Sequence, residues 1–215
     1  MDRHQPGRGV PAPAVTDLFD KLTHLFEEGQ RRDLPDLITD VRFTDAERAA
    51  EAAVLIAVVD RQGEHGPEPT IILTQRPNSM RDHPGQVAFP GGKLEEGEDA
   101  VTGALREAQE ELAIDPEAVR IVGTADLYHT GTGFAVTPVL GVVGPDIAIT
   151  PDPREVEAWF EAPLSLMFNR DNWIERSATW KGQERFYLDM EYEGFRIWGV
   201  TAAIISNLSR RVEWV

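Results

Sequence analysis

The chain has 215 residues, and its 37 acidic residues against 21 lysines and arginines leave a net charge of −16. A surface so acidic repels nucleic acid and anionic membranes, having no basic stripe to exchange for counterions, and it opposes an anionic substrate too unless a cation or a local basic cluster reverses the field. Apolar residues at 41% suffice for a full core, which excludes a disordered chain, and the absence of cysteine excludes disulfides and thiolate chemistry.

Residues 1–14, rich in Pro, Gly and charge, read as a flexible tail with no apolar signal core. From Thr16, the residues Leu18, Phe19, Leu22, Leu25 and Phe26 recur at helical spacing, with Thr16 or Asp17 able to cap. A helical N-terminal extension over residues 15–50 is therefore expected ahead of a main domain at 51–215, with a second short helix around Asp45–Ala50. The run AAVLIAVV, Ala52 to Val59, is too short to span a bilayer and reads as a buried strand. After the loop RQGEHGPEP the chain returns through PTIILTQR, which predicts a hairpin. A loop with two prolines, the segment QVAFPGG and an acidic helix follow. Strands are expected at Val119–Asp126 and Val136–Val143, separated by the Gly-rich connecting loop YHTGTGF. EVEAWFEAPL suits strand or helix, and ERFYLDMEYEGFRIW alternates around Glu191–Gly194 as a hairpin. A last helix, roughly Val200 to Arg210, closes the chain. Strands before and after helices predict an α/β/α sandwich with a mixed β-sheet, and cytoplasm is the default compartment.

The acidic helix poses the chemical question. Asp99 is a good N-cap, and Val101, Ala104, Leu105, Ala108 and Leu112 form one apolar stripe. Away from it, Glu107, Glu110 and Glu111 stand at i, i+3 and i+4, where like charges cost roughly 0.2–0.5 kcal/mol per pair on an exposed helix. They also crowd the helix C-terminus, where the macrodipole disfavours anions. Either this is a solvated acidic face with Arg106 pairing locally, or a divalent cation completes it. Hard oxygen donors without Cys or His favour Mg²⁺ or Mn²⁺. Spacing alone does not decide between the two.

The surrounding residues do more. Gly92, then Glu98 after five residues, then Arg106-Glu107-Ala108-Gln109-Glu110-Glu111-Leu112-Ala113-Ile114 after seven more closely resembles the Nudix box, a loop–helix–loop for diphosphate hydrolysis. One position departs from it: Ala113 stands where a glycine is usual, and strain is expected there if the helix ends in a left-handed cap. The resemblance implies that Glu107, Glu110 and Glu111 bind metal, with the Gly91 carbonyl as a further ligand. It also implies that Arg106 orients the carboxylates through Glu98 and that Glu110 is a candidate base.

A second stretch, ILTQRPNSMRDHPGQVAFPGG from Ile72 to Gly92, resembles the signature of the CoA diphosphatase branch of that family at Leu73, Thr74, Arg76, Arg81, Gly85 and Phe89–Gly92. Ile72 replaces a leucine and Pro77 a small residue, while FRIWGVTAAIISNL looks like the usual closing segment of the branch. The implied reaction is hydrolysis of CoA or acyl-CoA to 3′,5′-ADP and (acyl-)4′-phosphopantetheine. Arg76 and Arg81 are the first choice for phosphate contacts, since the planar guanidinium suits such groups. Structural roles are expected for His83, at the Pro84 turn, and for Trp159, Phe160, Trp173, Trp180 and Trp198 in the core; Lys93 is expected to be solvated. Two rival readings keep the fold: a hydrolase of an ADP-sugar, a dinucleotide or a nucleoside triphosphate, and a non-catalytic nucleotide-binding protein. A homodimer formed through residues 15–30 is compatible with any of them.

Overall fold

The structure, a computed structural model, describes residues 17–40, 49–64, 66–80, 83–180 and 182–214. Thr16, Arg81 and the short helix expected around Asp45 lie outside these residues, apart from Ala49 and Ala50, of which Ala50 already belongs to a strand. In chain order the elements are α1 (Leu18–Gln30), β1 (Ala50–Val59), β2 (Gln62–Gly63), β3 (Gly66–Pro67), β4 (Thr70–Gln75), β5 (Val87–Ala88), β6 (Gly91–Lys93), α2 (Ala100–Leu112), β7 (Arg120–Thr124), β8 (Tyr128–His129), β9 (Phe134–Val143), β10 (Ala158–Pro163), α3 (Leu164–Phe168), β11 (Ile174–Trp180), β12 (Gln183–Tyr192), β13 (Phe195–Trp198) and α4 (Gly199–Val212).

β1 and β9 are the spine. They pair in parallel over a full ladder from Ala50↔Phe134 to Val59↔Val143, while β4 and β10 add antiparallel on one side and β7 on the other. The resulting sheet, in the order β10-β4-β1-β9-β7, is mixed. The run of apolar residues in β1 follows from burial on both faces. Leu55, Ala57 and Val59 turn toward Ala104, Ala108 and Leu112 of α2. Ile56 and Val58 turn the other way, into a core shared with Leu22 and Phe26 of α1 and Ile204, Ile205 and Leu208 of α4. Helices thus cover both faces, as the sequence pattern predicts.

Asp17 caps α1 by accepting a hydrogen bond from the Phe19 amide. The helix packs on α4, where Arg211 donates to both carboxylate oxygens of Asp126 at 2.8 Å and to the carbonyls of Gly29 at 2.9 Å and Arg32 at 2.6 Å. The Asn207 amide holds the backbone of Ile38 through both its N–H and its carbonyl. Residues 18–38 are therefore fastened to the last helix at both their helical and their extended parts.

The predicted hairpin of β1 and β4 is present, its loop carrying the small β2–β3 pair. The ambiguous stretch after Glu155 resolves as strand β10, whose Phe160 stacks on Phe195 at 4.1 Å between ring centroids. β12 and β13 form the expected hairpin, joined on their far side by β11, a strand not anticipated because both its faces are exposed and no apolar alternation marks it. No described helix is long and apolar enough to cross a membrane.

Candidate active site

Three segments distant in sequence converge at the C-terminal half of α2. The first is β6, which pairs with β1 so that Gly92 lies beside Ala53. A Cβ at Gly92 would sit 2.4 Å from Glu107 Oε1, so any larger residue there would push this carboxylate from its position. The second is α2 itself. Asp99 accepts hydrogen bonds from the amides of Val101 at 2.9 Å and Thr102 at 3.0 Å, which fixes where the helix starts and so which way its glutamates point. At the other end Ala113 adopts φ 56°, ψ 27°, the left-handed cap expected to strain a residue with a side chain.

The third segment is residues 150–157. The Thr150 and Asp152 amides donate to the Leu112 and Glu111 carbonyls, each at 2.8 Å, satisfying acceptors that a helix end leaves open. The Val156 amide returns to the Asp152 carbonyl at 2.8 Å, and the Val156 side chain is buried against α2 and β1. Glu155, inside this turn, is thereby brought to α2: Glu107, Glu111 and Glu155 place carboxylate oxygens within 4.8 Å of one another. Sequence reasoning did not single out Glu155. It is one acid of 37, and its position depends on backbone bonds to residues some forty places earlier.

The electrostatics of this group are unfavourable as it stands. Glu111 is 3% exposed, and its Oε2 finds no hydrogen-bond partner among the described residues. Desolvation, then the nearby charges of Glu107 and Glu155, push its carboxyl up to about 8, against smaller lowering effects from Arg76 and the Gly91 backbone. Glu107 is raised as well, again chiefly by desolvation, with hydrogen bonding from Arg106 opposing. Hard oxygen donors, a buried oxygen without a partner and mutual repulsion together suit a divalent cation of the Mg²⁺ or Mn²⁺ type.

Beside this group lies a second, fully paired one. Arg106 donates from Nε and Nη2 to the two oxygens of Glu98 at 2.9 and 3.0 Å, from Nη1 to Glu107 and Glu110 at 3.0 Å each, and from Nη2 to the Lys93 carbonyl at 3.1 Å. Glu98 also accepts from the Glu95 amide at 2.9 Å, and the guanidinium beside it holds its carboxyl below the usual range. Arg106 therefore both ties the loop to the helix and aims Glu107. Glu110, its side chain 55% exposed, is turned to Arg106 and stands outside the three-carboxylate group.

Arg76 ends β4. Its backbone accepts from Gly85 and donates to Gln86, its side chain is half-buried, and its charge is felt at Glu111. Arg81 lies outside the described residues. His83 is exposed, with φ 54° and its carbonyl accepting from the Gln86 amide, a turn position as expected. Lys93 is exposed, its ammonium 5.4 Å from the centre of the Phe134 ring. Phe160 and Trp173 are buried and Trp159 partly so, whereas Trp198 is 36% exposed, stacked under Arg196 rather than in the core; the Trp180 side chain lies outside the described residues. The YHTGTGF loop joins β8 to β9 and is held by Asp40, which accepts from the Gly131 amide at 2.8 Å.

This geometry has counterparts among known proteins. The model of the NUDIX domain matches residues 49–181. Uncharacterized Nudix hydrolases named NudL, from Enterobacter sp. (strain 638) and Escherichia coli (strain K12), are each 39% identical over 163 residues, covering 75% of this chain and 82% of the relative. Among solved structures, the Nudix hydrolase RenU of M. smegmatis aligns with a TM-score of 0.50 at 19% identity, over 75% of this chain and 83% of that one, a likeness of fold. The family match over most of the chain and the relatives' identity show that the chain belongs to the Nudix hydrolases, enzymes that act on phosphoric anhydride bonds.

Proposed function

We propose that this enzyme hydrolyses the diphosphate of CoA or acyl-CoA, releasing 3′,5′-ADP and 4′-phosphopantetheine or its acyl form. The observation that carries the substrate reading is the course of Ile72–Gly92. The stretch resembling the CoA diphosphatase signature begins in β4 at Ile72, has Arg76 just past that strand where β4 pairs with β5, and ends at Gly92 of β6 against Glu107. A cation neighbouring Glu111 on a protein of net charge −16 is what a diphosphate would need.

Nudix hydrolases generally need a divalent metal such as Mg²⁺ or Mn²⁺, and here Glu107, Glu111 and Glu155 would hold it, with the Gly91 carbonyl as a further donor. When bound, the metal neutralises phosphate oxygens and lowers the pKa of a water at neutral pH. The chain does the rest. Glu111 would supply a buried carboxylate to the metal, and Arg106 with Glu98 keeps Glu107 aimed at the same point. Glu110, on the solvent side of the group, is the candidate to accept a proton or serve as an additional ligand. Arg76, together with Arg81, binds phosphate. Residues 51–215 form the catalytic domain in this reading, and the helical segment before them braces it; gel filtration of a chain lacking residues 15–30 tests whether that segment also pairs two copies.

Incubation with CoA, with and without Mg²⁺ or Mn²⁺, followed by chromatography of the products, tests the proposal. Metal-dependent release of 3′,5′-ADP and phosphopantetheine is expected, with slower turnover of 3′-dephospho-CoA. Turnover of an ADP-sugar or dinucleotide in place of CoA would overturn the substrate reading while keeping the metal helix.

A further inference from the structure

The segment that carries Glu155 does not end its work there. Two residues on, Glu157 enters β10, its amide donating to the Gln75 carbonyl at 2.9 Å. Its Oε2 reaches over the turn that follows Arg76 and accepts from the Asn78 amide at 2.9 Å and the Asn78 side-chain nitrogen at 3.2 Å. Asn78 is held from the other side as well. A Cβ at Gly85, which has φ 68°, would lie 2.6 Å from Asn78 Oδ1, so the amide packs directly on that backbone. Gly85 in turn donates to the Arg76 carbonyl at 3.1 Å, and the Met80 amide closes the turn on the Pro77 carbonyl at 3.1 Å.

From these contacts we infer that Glu157 is a positioning residue: through Asn78 it fixes the turn beside Arg76 in register with the Glu155 carboxylate, so that the substrate-facing arginine and the carboxylate group are set by one rigid segment, residues 152–157. The segment is pinned at the Glu111 carbonyl by the Asp152 amide, in the core by Val156, and at the arginine turn by Glu157. Pro77 strengthens the case: it restricts Arg76 to extended backbone and removes an amide from the turn, which leaves the Asn78 amide as the donor nearest Arg76 for an outside anchor. Among the described residues, the Glu157 side chain hydrogen-bonds Asn78 and neither the other carboxylates nor Arg76, so the effect of its carboxylate passes through Asn78.

The inference rests on the assignment of the Arg76 loop to substrate phosphate, and its test separates the two. Glu157→Ala, Glu157→Gln, Asn78→Ala and the double Glu157→Ala/Asn78→Ala proteins are assayed on CoA, or on whichever diphosphate the unaltered enzyme cleaves. KM, kcat, the Mn²⁺ activation constant and Tm are read for each. Loss of this charge-assisted anchor is expected to raise KM about five- to tenfold with kcat within about twofold and the Mn²⁺ constant unchanged. Asn78→Ala should match it, the double variant should be no worse than either single one, and Glu157→Gln, which keeps an acceptor oxygen, should recover part of the loss. An unchanged KM, additive single effects, or a fall in kcat that tracks Tm would overturn the positioning role. Failure of the unaltered enzyme on CoA, with a KM effect on its true substrate, would overturn only the CoA reading.

Discussion

Two buried ionisable groups, Arg211 on α4 and Glu111 on α2, lie on opposite faces of one sheet in opposite surroundings. Arg211 is 8% exposed, and its guanidinium meets Asp126 at both oxygens and two carbonyls at the end of α1. Glu111 is 3% exposed, has an oxygen with no hydrogen-bond partner among the described residues, and faces two further carboxylates. Burying a charge is costly in either place, and the first site offsets that cost with protein groups alone. The second leaves it standing. A closed charge network belongs to the fold; an open one of a single sign belongs to a ligand of the other sign.

Neutralising each charge is the sharpest way to break this comparison. Glu111→Gln is expected to lower kcat/KM by about three orders of magnitude, roughly 4 kcal/mol, through loss of the charge a cation would meet. The same change should raise the Tm of the metal-free protein, because it removes a desolvated carboxylate. Arg211→Ala should do the reverse. It strands Asp126 and the carbonyls of Gly29 and Arg32, so a loss of about 3 kcal/mol in urea unfolding is expected, with kcat of the folded protein near normal. A Glu111→Gln protein that is both active and less stable would erase the distinction.

The pH dependence sharpens it. The folded-state carboxyl of Glu111 is raised to about 8 from an ordinary value of 4.5. Between these values the folded chain binds more protons than the unfolded one, so this group makes metal-free stability fall as pH rises from about 4.5 to about 8, and level off above. Thermal unfolding in chelator across that window measures the slope. Glu111→Gln should flatten it, and saturating Mn²⁺, which favours the ionised form, should cancel it.

Glu155→Gln comes next in size, with about a 10- to 100-fold loss of kcat/KM and a weaker Mn²⁺ activation constant, at little change in Tm. This residue also marks where sequence legibility ended. Local features were readable: the Asp99 cap, the apolar stripe of α2, the β1–β4 hairpin, and Glu107 and Glu111 as neighbours on one helical face, because periodicity and turn chemistry act over a few residues. Non-local pairings were not. Nothing in Ala50–Val59 reveals that its parallel partner is Phe134–Val143, and Glu155 joins the group only because Asp152 and Thr150 cap the end of α2. Glu110 shares Arg106 Nη1 with Glu107, as helical spacing suggests, though its side chain is 55% exposed and outside the three-carboxylate group.

The smallest expected effect concerns how α2 ends. Ala113 holds φ 56° at the cap, its amide donating to the helix carbonyls, and the next residue, Ile114, is buried. A left-handed conformation costs a residue with a Cβ about 1–2 kcal/mol, part of which glycine would return to the unfolded chain as entropy. Ala113→Gly should therefore stabilise the protein by about 0.5–1 kcal/mol, a rise of about 1–4 °C in Tm. Because the cap lies two residues beyond Glu111 and the Asp152 amide already fixes the Glu111 carbonyl, kcat/KM should stay within twofold. A drop in activity would mean that strain at the cap helps aim Glu111, which would make the end of α2 part of the open site rather than of the closed frame around it.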